Sequence, residues 1–379
     1  MTGISAQTLP RRRKVPGSAF IAFVLCCAAF RQPLPGYSLS PRGTKYEQHV
    51  AKENNPWFQR AVMLVARQGV LHFREPVHEE ITNRIYGCEG DKKLCGDPDV
   101  EFAGPFVLAG VRWNDDPPFQ LEGGEGQHTV CKTSETIRFT TQPICWAQLF
   151  KDAKERAASG DVPDAYNRAP LLARSHFGDL QFFHAMASQD GELAGETQKR
   201  VMMWAEFAWK VAIGEYGLTT PLVDVNIAEF DDFFGNSGWN VQDLYTVGNP
   251  ALRPHISEVA FGSILHTVED SFARGHVQRE EKSPGACGSL PELPAPARIV
   301  EFHSYAHQDG HKHAEFDTRD AFEEETLADN PDVVHVGTPL REFYEHRASW
   351  DSAKPYFECV FAVADPNTKA SPGSEFAEE

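Results

Sequence analysis

The sequence predicts an all-α protein: a single multi-helical domain with long, disulfide-tied loops. Three observations lead there. Apolar residues recur at helical spacing in several segments, period-two alternation is nearly absent, and Gly-, Pro- and Asp-rich loops, two of them holding Cys88, Cys95 and Cys287, separate the helices. The chain has 379 residues, 41% hydrophobic and 24% charged, an ordinary globular balance that excludes collagen-like and wholly disordered classes. That length is enough to bury a core of useful size in one large domain.

The helical segments follow in order. Trp57 to Gln68 places Phe58, Val62, Met63 and Ala66 on one face. Val77 to Tyr86 is a short second helix, Ala169 to Ala187 a third, and Glu196 to Tyr216 a fourth, rich in Met, Trp and Ala. His255 to Arg274 is a fifth, opened by Pro254. Asp317 to Asp329 is a sixth. Thr136 to Thr141 is the best strand candidate. The loops 87–100, 114–127, 217–251 and 281–298 are long, and loops of that length are functional or covalently tied. The domain is expected over 45–364, and the polar stretch 365–379 is expected to be a disordered tail.

The N-terminus has its own logic. Arg11 to Lys14 form a basic block, and the apolar run Ala19 to Phe30 follows. A bilayer span needs about 20 apolar residues, so this run is too short to cross one. A basic block, a short apolar run and then small and polar residues is the layout of a secretory signal peptide, assigned here to residues 1–38. The expected location is secreted or periplasmic, with no transmembrane segment in the mature chain. Net charge is -18, and becomes about -23 without the five basic residues of the first 40. Such a surface repels nucleic acid and anionic membrane at long range, which argues against a stable nucleic-acid partner. It does not exclude a phosphodiesterase, because metal ions invert the field inside a cleft.

Cys26 and Cys27 fall in the signal, leaving Cys88, Cys95, Cys131, Cys145, Cys287 and Cys359. An even number in an exported chain suggests up to three disulfides. Sequence alone does not fix the pairing. Short loops favour 88–95 and 131–145, which leaves 287–359.

The chemistry concentrates in histidine. Of the 15 histidines, seven fall between His255 and His313. In the fifth helix the stripe Phe261, Ile264, Leu265, Val268 and Phe272 faces the core. His266 and Asp270, four apart, share a different face and are set to line a cleft. Gly275 suits the helix end, and His276 follows it. An imidazole and a carboxylate so placed can bind one zinc or bridge two. Downstream, His303/His307, His307/His311, His311/Glu315 and His313/Asp317 are all possible pairs. Gly310 breaks a helix through the first two and favours a pair after it. His78 opens the second helix, and His176 sits amid apolar residues. His184, eight beyond His176, falls on the same helical face and is read as packing or as support behind a ligand. Asp115 and Asp116 lie in a turn before Pro117.

Taken in order, these residues resemble the zinc-dependent phospholipase C / single-strand-specific nuclease superfamily, helical exported enzymes with a cluster of zinc ions. His78 matches the early histidine, Asp115 the aspartate after a Gly-containing stretch, and His176 the next histidine. His266, Asp270 and His276 match the central H-x-x-x-D-x-x-x-x-x-H, and His313 with Asp317 fits the last pair. The likeness runs from about residue 70 to 320. The chain departs from the pattern in one respect. The studied enzymes use an N-terminal Trp amine and carbonyl as ligands shortly before the first His, and here no Trp stands close before His78.

The resemblance implies phosphodiester hydrolysis with two or three Zn2+ ions, a zinc-bound hydroxide attacking phosphorus. It implies that His176, His266 and Asp270 hold a first zinc, that Asp270 bridges to a second held by His78, and that His276, His313 and Asp317 hold a third. Asp115 would ligate the first zinc or act catalytically by orienting or deprotonating the water. Glu269, Arg274 and Gln308 would support the ligands from behind. The expected substrate is a phospholipid, with single-stranded nucleic acid or a 3'-nucleotide as the alternative. A non-catalytic zinc-binding exported protein is the alternative of another class. Trp113, Phe119, Trp239 and Tyr245 are the aromatics that either substrate would use.

Overall fold

The longest helices carry the most apolar sequence, and they organise the rest. The computed structural model describes residues 37–53, 73, 75–90, 92–97, 99–121, 130–165, 169–327 and 331–378. The expected helix over 57–68 and the expected signal segment up to residue 36 lie outside the described residues. The main helices are α1 (Lys45–Glu53), α2 (Val77–Ile85), α3 (Pro105–Val111), α4 (Pro143–Ala158), α5 (Leu171–Phe177), α6 (Ala194–Ala212), α7 (Ile256–Asp270), α8 (Gly310–Phe316), α9 (Val333–Glu345) and α10 (Trp350–Val360). Among the described residues the only sheet is a pair of antiparallel strands, β1 (Val277–Arg279) and β2 (Ile299–Phe302). The protein is mostly helical, as the periodicity predicts. No helix among the described residues is long and apolar enough to cross a membrane.

Helix α7 is the centre. Its stripe Phe261, Ile264, Leu265 and Val268 is buried, and it packs against α3 on one side and α6 on the other. The α3–α7 crossing is a backbone contact made by two glycines. A Cβ on Gly262 would stand 2.2 Å from the Val107 carbonyl oxygen, and one on Gly110 would stand 2.2 Å from that of Val259. Only glycine permits this approach. It brings the end of α3 onto the face of α7 that carries His266. Helix α6 adds Trp204, Phe207 and Trp209 to the main core. A smaller core of Phe73, Phe139, Trp146, Phe150 and Phe177 packs under α4 and α5.

Helices α1, α2 and α3 are tied by buried charge. Arg112 is fully buried and pairs with Glu47 at 3.0 Å and Glu79 at 2.6 Å, while Arg138 reaches Glu47 at 2.8 Å. Removing one partner of such a group leaves a charge in low dielectric, so the set is structurally obligatory once formed. The three disulfides are Cys88–Cys95, Cys131–Cys145 and Cys287–Cys359, the pairing that loop length favours.

Four expectations are corrected. The segment Ala169 to Ala187 is not one helix. Helix α5 stops at Phe177, and Gly178, where a Cβ would meet the Pro163 carbonyl oxygen at 1.9 Å, turns the chain into a separate 3-10 turn, Gln181–His184. Thr136 to Thr141 is not a strand. Ile137 makes an isolated bridge to Phe119, and Thr141 Oγ1 then closes a turn on the Thr136 carbonyl. The helix expected at Asp317 to Asp329 is displaced: α8 ends before Asp317, and only short turns follow at Arg319–Ala321 and Phe322–Thr326. The tail after Asp365 is ordered through Glu378, with Ala370 and Phe376 buried and backbone bonds to Glu192, His307 and Asp309.

Candidate metal centre

Each candidate side chain is fixed by a backbone event that can be named. His78 sits in the first turn of α2. His266 and Asp270 lie one turn apart on α7, and the Gly110–Gly262 contact sets the Val111 carbonyl 2.7 Å from His266 Nδ1. Asp115 follows α3 in a turn whose Asn114 is clamped by Phe183 and Ser263 carbonyls. His176 lies in the last turn of α5 and His184 ends the 3-10 turn. The break at Gly178 turns them toward each other, with ring centroids 5.0 Å apart.

Six residues form one group. His78 Nε2 lies 3.4 Å from Asp270 Oδ1 and 3.9 Å from Asp115 Oδ2. His266 Nε2 is 2.9 Å from Asp270 Oδ2 and 3.9 Å from Asp115 Oδ1. His184 Nδ1 lies 2.9 Å from Asp270 Oδ2 and 3.7 Å from Asp115 Oδ1, and His176 Nε2 is 3.9 Å from the same Asp115 oxygen. A second group adjoins it. His276, His313 and Asp317 converge, His313 Nε2 standing 3.4 Å from Asp317 Oδ2 and His276 Nδ1 3.6 Å from Asp270 Oδ2. Donor atoms on a tetrahedral zinc are about 3.3–3.6 Å apart, given bonds of about 2.0–2.2 Å. The observed spacings bracket that value, and all nine side chains are buried.

The outer bonds of the imidazoles support the same reading. Nδ1 of His78 is held by Glu269 at 2.6 Å, of His176 by the Leu172 carbonyl at 2.9 Å, of His276 by the His184 carbonyl at 2.7 Å, and of His313 by Gln308 Oε1 at 2.5 Å. With the Val111 bond to His266, five rings donate Nδ1–H to an oxygen and turn Nε2, as a lone pair, inward. That is the arrangement metal-ligating histidines adopt. His276 Nε2 and both Asp317 oxygens have no hydrogen-bond partner among the described residues. A buried acceptor in that state is costly unless a cation meets it.

The electrostatics agree. Burial pushes Asp115 well above the usual carboxylate range, and neighbouring Asp270 adds to the rise while His266 opposes it. Burial pushes Asp317 up strongly as well, with Asp270 and Asp115 adding to it. Asp270 is pushed up to about 7 by burial, opposed by His276 and by a backbone hydrogen bond from Tyr37. Burial holds His266 and His276 below the ordinary imidazole value. Three carboxylates are thus crowded among imidazoles in a dry interior, an arrangement that a divalent cation stabilises.

The structure brings together all eight residues singled out in the sequence: His78, Asp115, His176, His266, Asp270, His276, His313 and Asp317. Of the histidines left open, His303 is buried but bonds Gly275, His307 pairs at the surface with Asp190, and His311 is exposed. Arg274 pairs with Glu375 at the surface. His184 is the residue that sequence reasoning set aside. Read as one helix, 169–187 places it behind the ligands; Gly178 was the signal that the helix stops first. Of the four aromatics, Trp113 and Tyr245 are core, while Phe119 and Trp239 line a cavity of about 630 Å³ beside α5.

No family model, curated protein or solved structure matches this chain. Fold and site therefore define a class on their own: a mostly helical, disulfide-tied protein whose buried His/Asp groups could hold metal ions.

Proposed function

We propose that the protein is an exported zinc-dependent phosphodiester hydrolase, phospholipase C-like in fold and reaction. One observation carries this reading. Nine buried His and Asp side chains from five separate chain segments meet in two adjoining groups, and eight of them, all but His184, stand in the chain order of the zinc-dependent phospholipase C / nuclease pattern. His78, Asp115, His176, His184, His266 and Asp270 would hold two ions, and His276, His313 and Asp317 a third. When bound, zinc polarises a phosphoryl oxygen and lowers the pKa of water. Asp115, flanked by His78, His176, His184 and His266, would orient the attacking water and take its proton. Glu269 and the Val111 carbonyl hold His78 and His266 in the binding tautomer, so little reorganisation is needed on substrate arrival.

The N-terminal ligand would have a counterpart in Tyr37. The Tyr37 backbone amide hydrogen-bonds the Asp270 carboxylate, and its ring meets His78 edge-on at 5.7 Å. The signal assigned to residues 1–38 ends close to Tyr37, and cleavage two residues earlier, after residue 36, would turn that amide into a free amine beside Asp270 and His78. The Cys pairing supports export.

The test is to purify the secreted protein, sequence its N-terminus, count zinc, and assay a phosphocholine ester beside single-stranded DNA. About three zinc per chain with turnover of the ester is expected. Cleavage of DNA alone reassigns the substrate to the nuclease arm. Zinc without either activity leaves a zinc-binding protein and overturns the hydrolase reading, and absence of zinc overturns the centre itself.

A further inference from the structure

We propose that the ordered C-terminal segment Ala370–Glu378 is a strap that sets the third metal group through Gln308, a positioning residue. The inference rests on the reading of His276, His313 and Asp317 as metal ligands. Gln308 is almost fully buried, and its carboxamide is used at both ends. Nε2 donates to the Gly275 carbonyl at 2.8 Å and to the Pro372 carbonyl of the strap at 2.7 Å. Two carbonyl acceptors on one side leave a single sensible orientation for the amide, with Oε1 turned toward His313 Nδ1 at 2.5 Å. His313 must then carry its proton on Nδ1 and present the Nε2 lone pair toward Asp317. Gly275 and Pro372 thereby fix the tautomer of an imidazole that neither touches by hydrogen bond.

The strap is held in place by several independent contacts. The Ser304 N–H donates to the Ser371 carbonyl at 2.9 Å, that of Asp309 to the Phe376 carbonyl at 2.6 Å, and that of Glu378 to the His307 carbonyl at 3.1 Å. Phe376 is buried and packs against Phe316 at 5.1 Å, His303 at 5.8 Å and His313 itself at 6.0 Å. Gly373 has φ +82°, and a Cβ there would stand 2.6 Å from the His303 ring, so glycine lets the strap lie flat on the histidine segment. Residues 370–378 are thus built into the centre. Ligand support of this kind is worth about 10–100-fold in metal affinity when removed.

The experiment compares the full-length protein with Gln308→Leu and Phe376→Ala, reading zinc affinity by competition with a chelator and the His313 Nδ1–H signal by imidazole NMR. The expected result is a visible Nδ1–H in the wild type, lost in Gln308→Leu and weakened in Phe376→Ala. One zinc of the full set should bind about 10–100-fold more weakly while the others are unchanged. Phe376→Ala keeps the test open if Gln308→Leu fails to fold. A persistent Nδ1–H, or an unchanged zinc profile in a folded variant, overturns the strap and leaves the hydrolase reading standing. A wild type without zinc overturns the hydrolase reading and, with it, the strap's role at a metal group.

Discussion

Gly262→Ala tests the link between helix packing and the metal centre in one substitution. The added Cβ would stand 2.2 Å from the Val107 carbonyl oxygen and 2.6 Å from the Val111 amide nitrogen, both of them backbone atoms that no rotamer change can move. Reaching ordinary contact at about 3.4 Å requires α3 and α7 to part by about 1 Å. Overpacking of this kind costs about 1–3 kcal/mol. The same displacement stretches the 2.7 Å bond from His266 Nδ1 to the Val111 carbonyl, and a buried imidazole N–H left unpaired costs about 1–3 kcal/mol more. Together these give about 2–6 kcal/mol, or a melting temperature lower by roughly 4–12 °C at about 2 °C per kcal/mol. Gly217→Ala is the control, because nothing stands within 4 Å of its Cβ position. That variant should melt within about 1 °C of the wild type. Differential scanning fluorimetry with and without added zinc reads both effects, and Gly262→Ala should also show less stabilisation by zinc. A Gly262→Ala protein that melts and responds to zinc like the wild type would refute the claim that this crossing positions His266.

Three further outcomes are expected. His184→Ala should lower zinc content and any esterase activity together, while His307→Ala, at an exposed ion pair with Asp190, should leave both unchanged; retained zinc in His184→Ala would return His184 to a packing role. Asp116 is buried and its carboxyl is pushed up to about 6 by burial, against the pull of Arg138. A raised folded-state pKa means that the folded chain holds this proton longer than the unfolded chain, so Asp116 favours folding below about pH 4 and that contribution is lost as pH rises through 6. Asp116→Asn removes the dependence. Its stability relative to wild type should rise by up to roughly 3 kcal/mol between pH 4 and 7, read from urea unfolding at each pH, and a constant difference would contradict it. Cys287→Ser with Cys359→Ser opens a disulfide spanning 72 residues and should cost about 4 kcal/mol, visible as an earlier urea midpoint with the metal centre intact.

The parts of the centre that were legible in the sequence are those set by local geometry. His266 and Asp270 share a helix face by i,i+4 spacing, and no tertiary contact is needed to know it. Gly310 separates the open histidine pairs because glycine favours a boundary, and α8 does begin there. Loop length favours the disulfide pairs that form, without fixing them. What was not legible depends on tertiary packing. Helices α9 and α10 contain Pro339 and Pro355, residues that locally argue against a helix, and they form because their Val336, Leu340, Tyr356 and Phe357 faces are buried. The tail has a polar composition, and its order comes from Phe376 and the backbone bonds it brings, which no window of the sequence can weigh.

His184 combines both cases. Periodicity across 169–187 is real on either side of Gly178, and only the carbonyl of Pro163, 1.9 Å from where a Cβ would lie, shows why the helix cannot continue. A continuous helix would put His184 on the face of His176, about 12 Å further along the axis at 1.5 Å per residue. The break instead folds the chain back and brings the two rings to 5.0 Å, both within reach of Asp115. A glycine inside an apolar helical pattern that also contains histidine thus has two meanings, a modest cost in helix stability or a hinge that doubles the ligands available from one segment. Close backbone contact at the glycine decides between them, and in this protein it decides for the hinge.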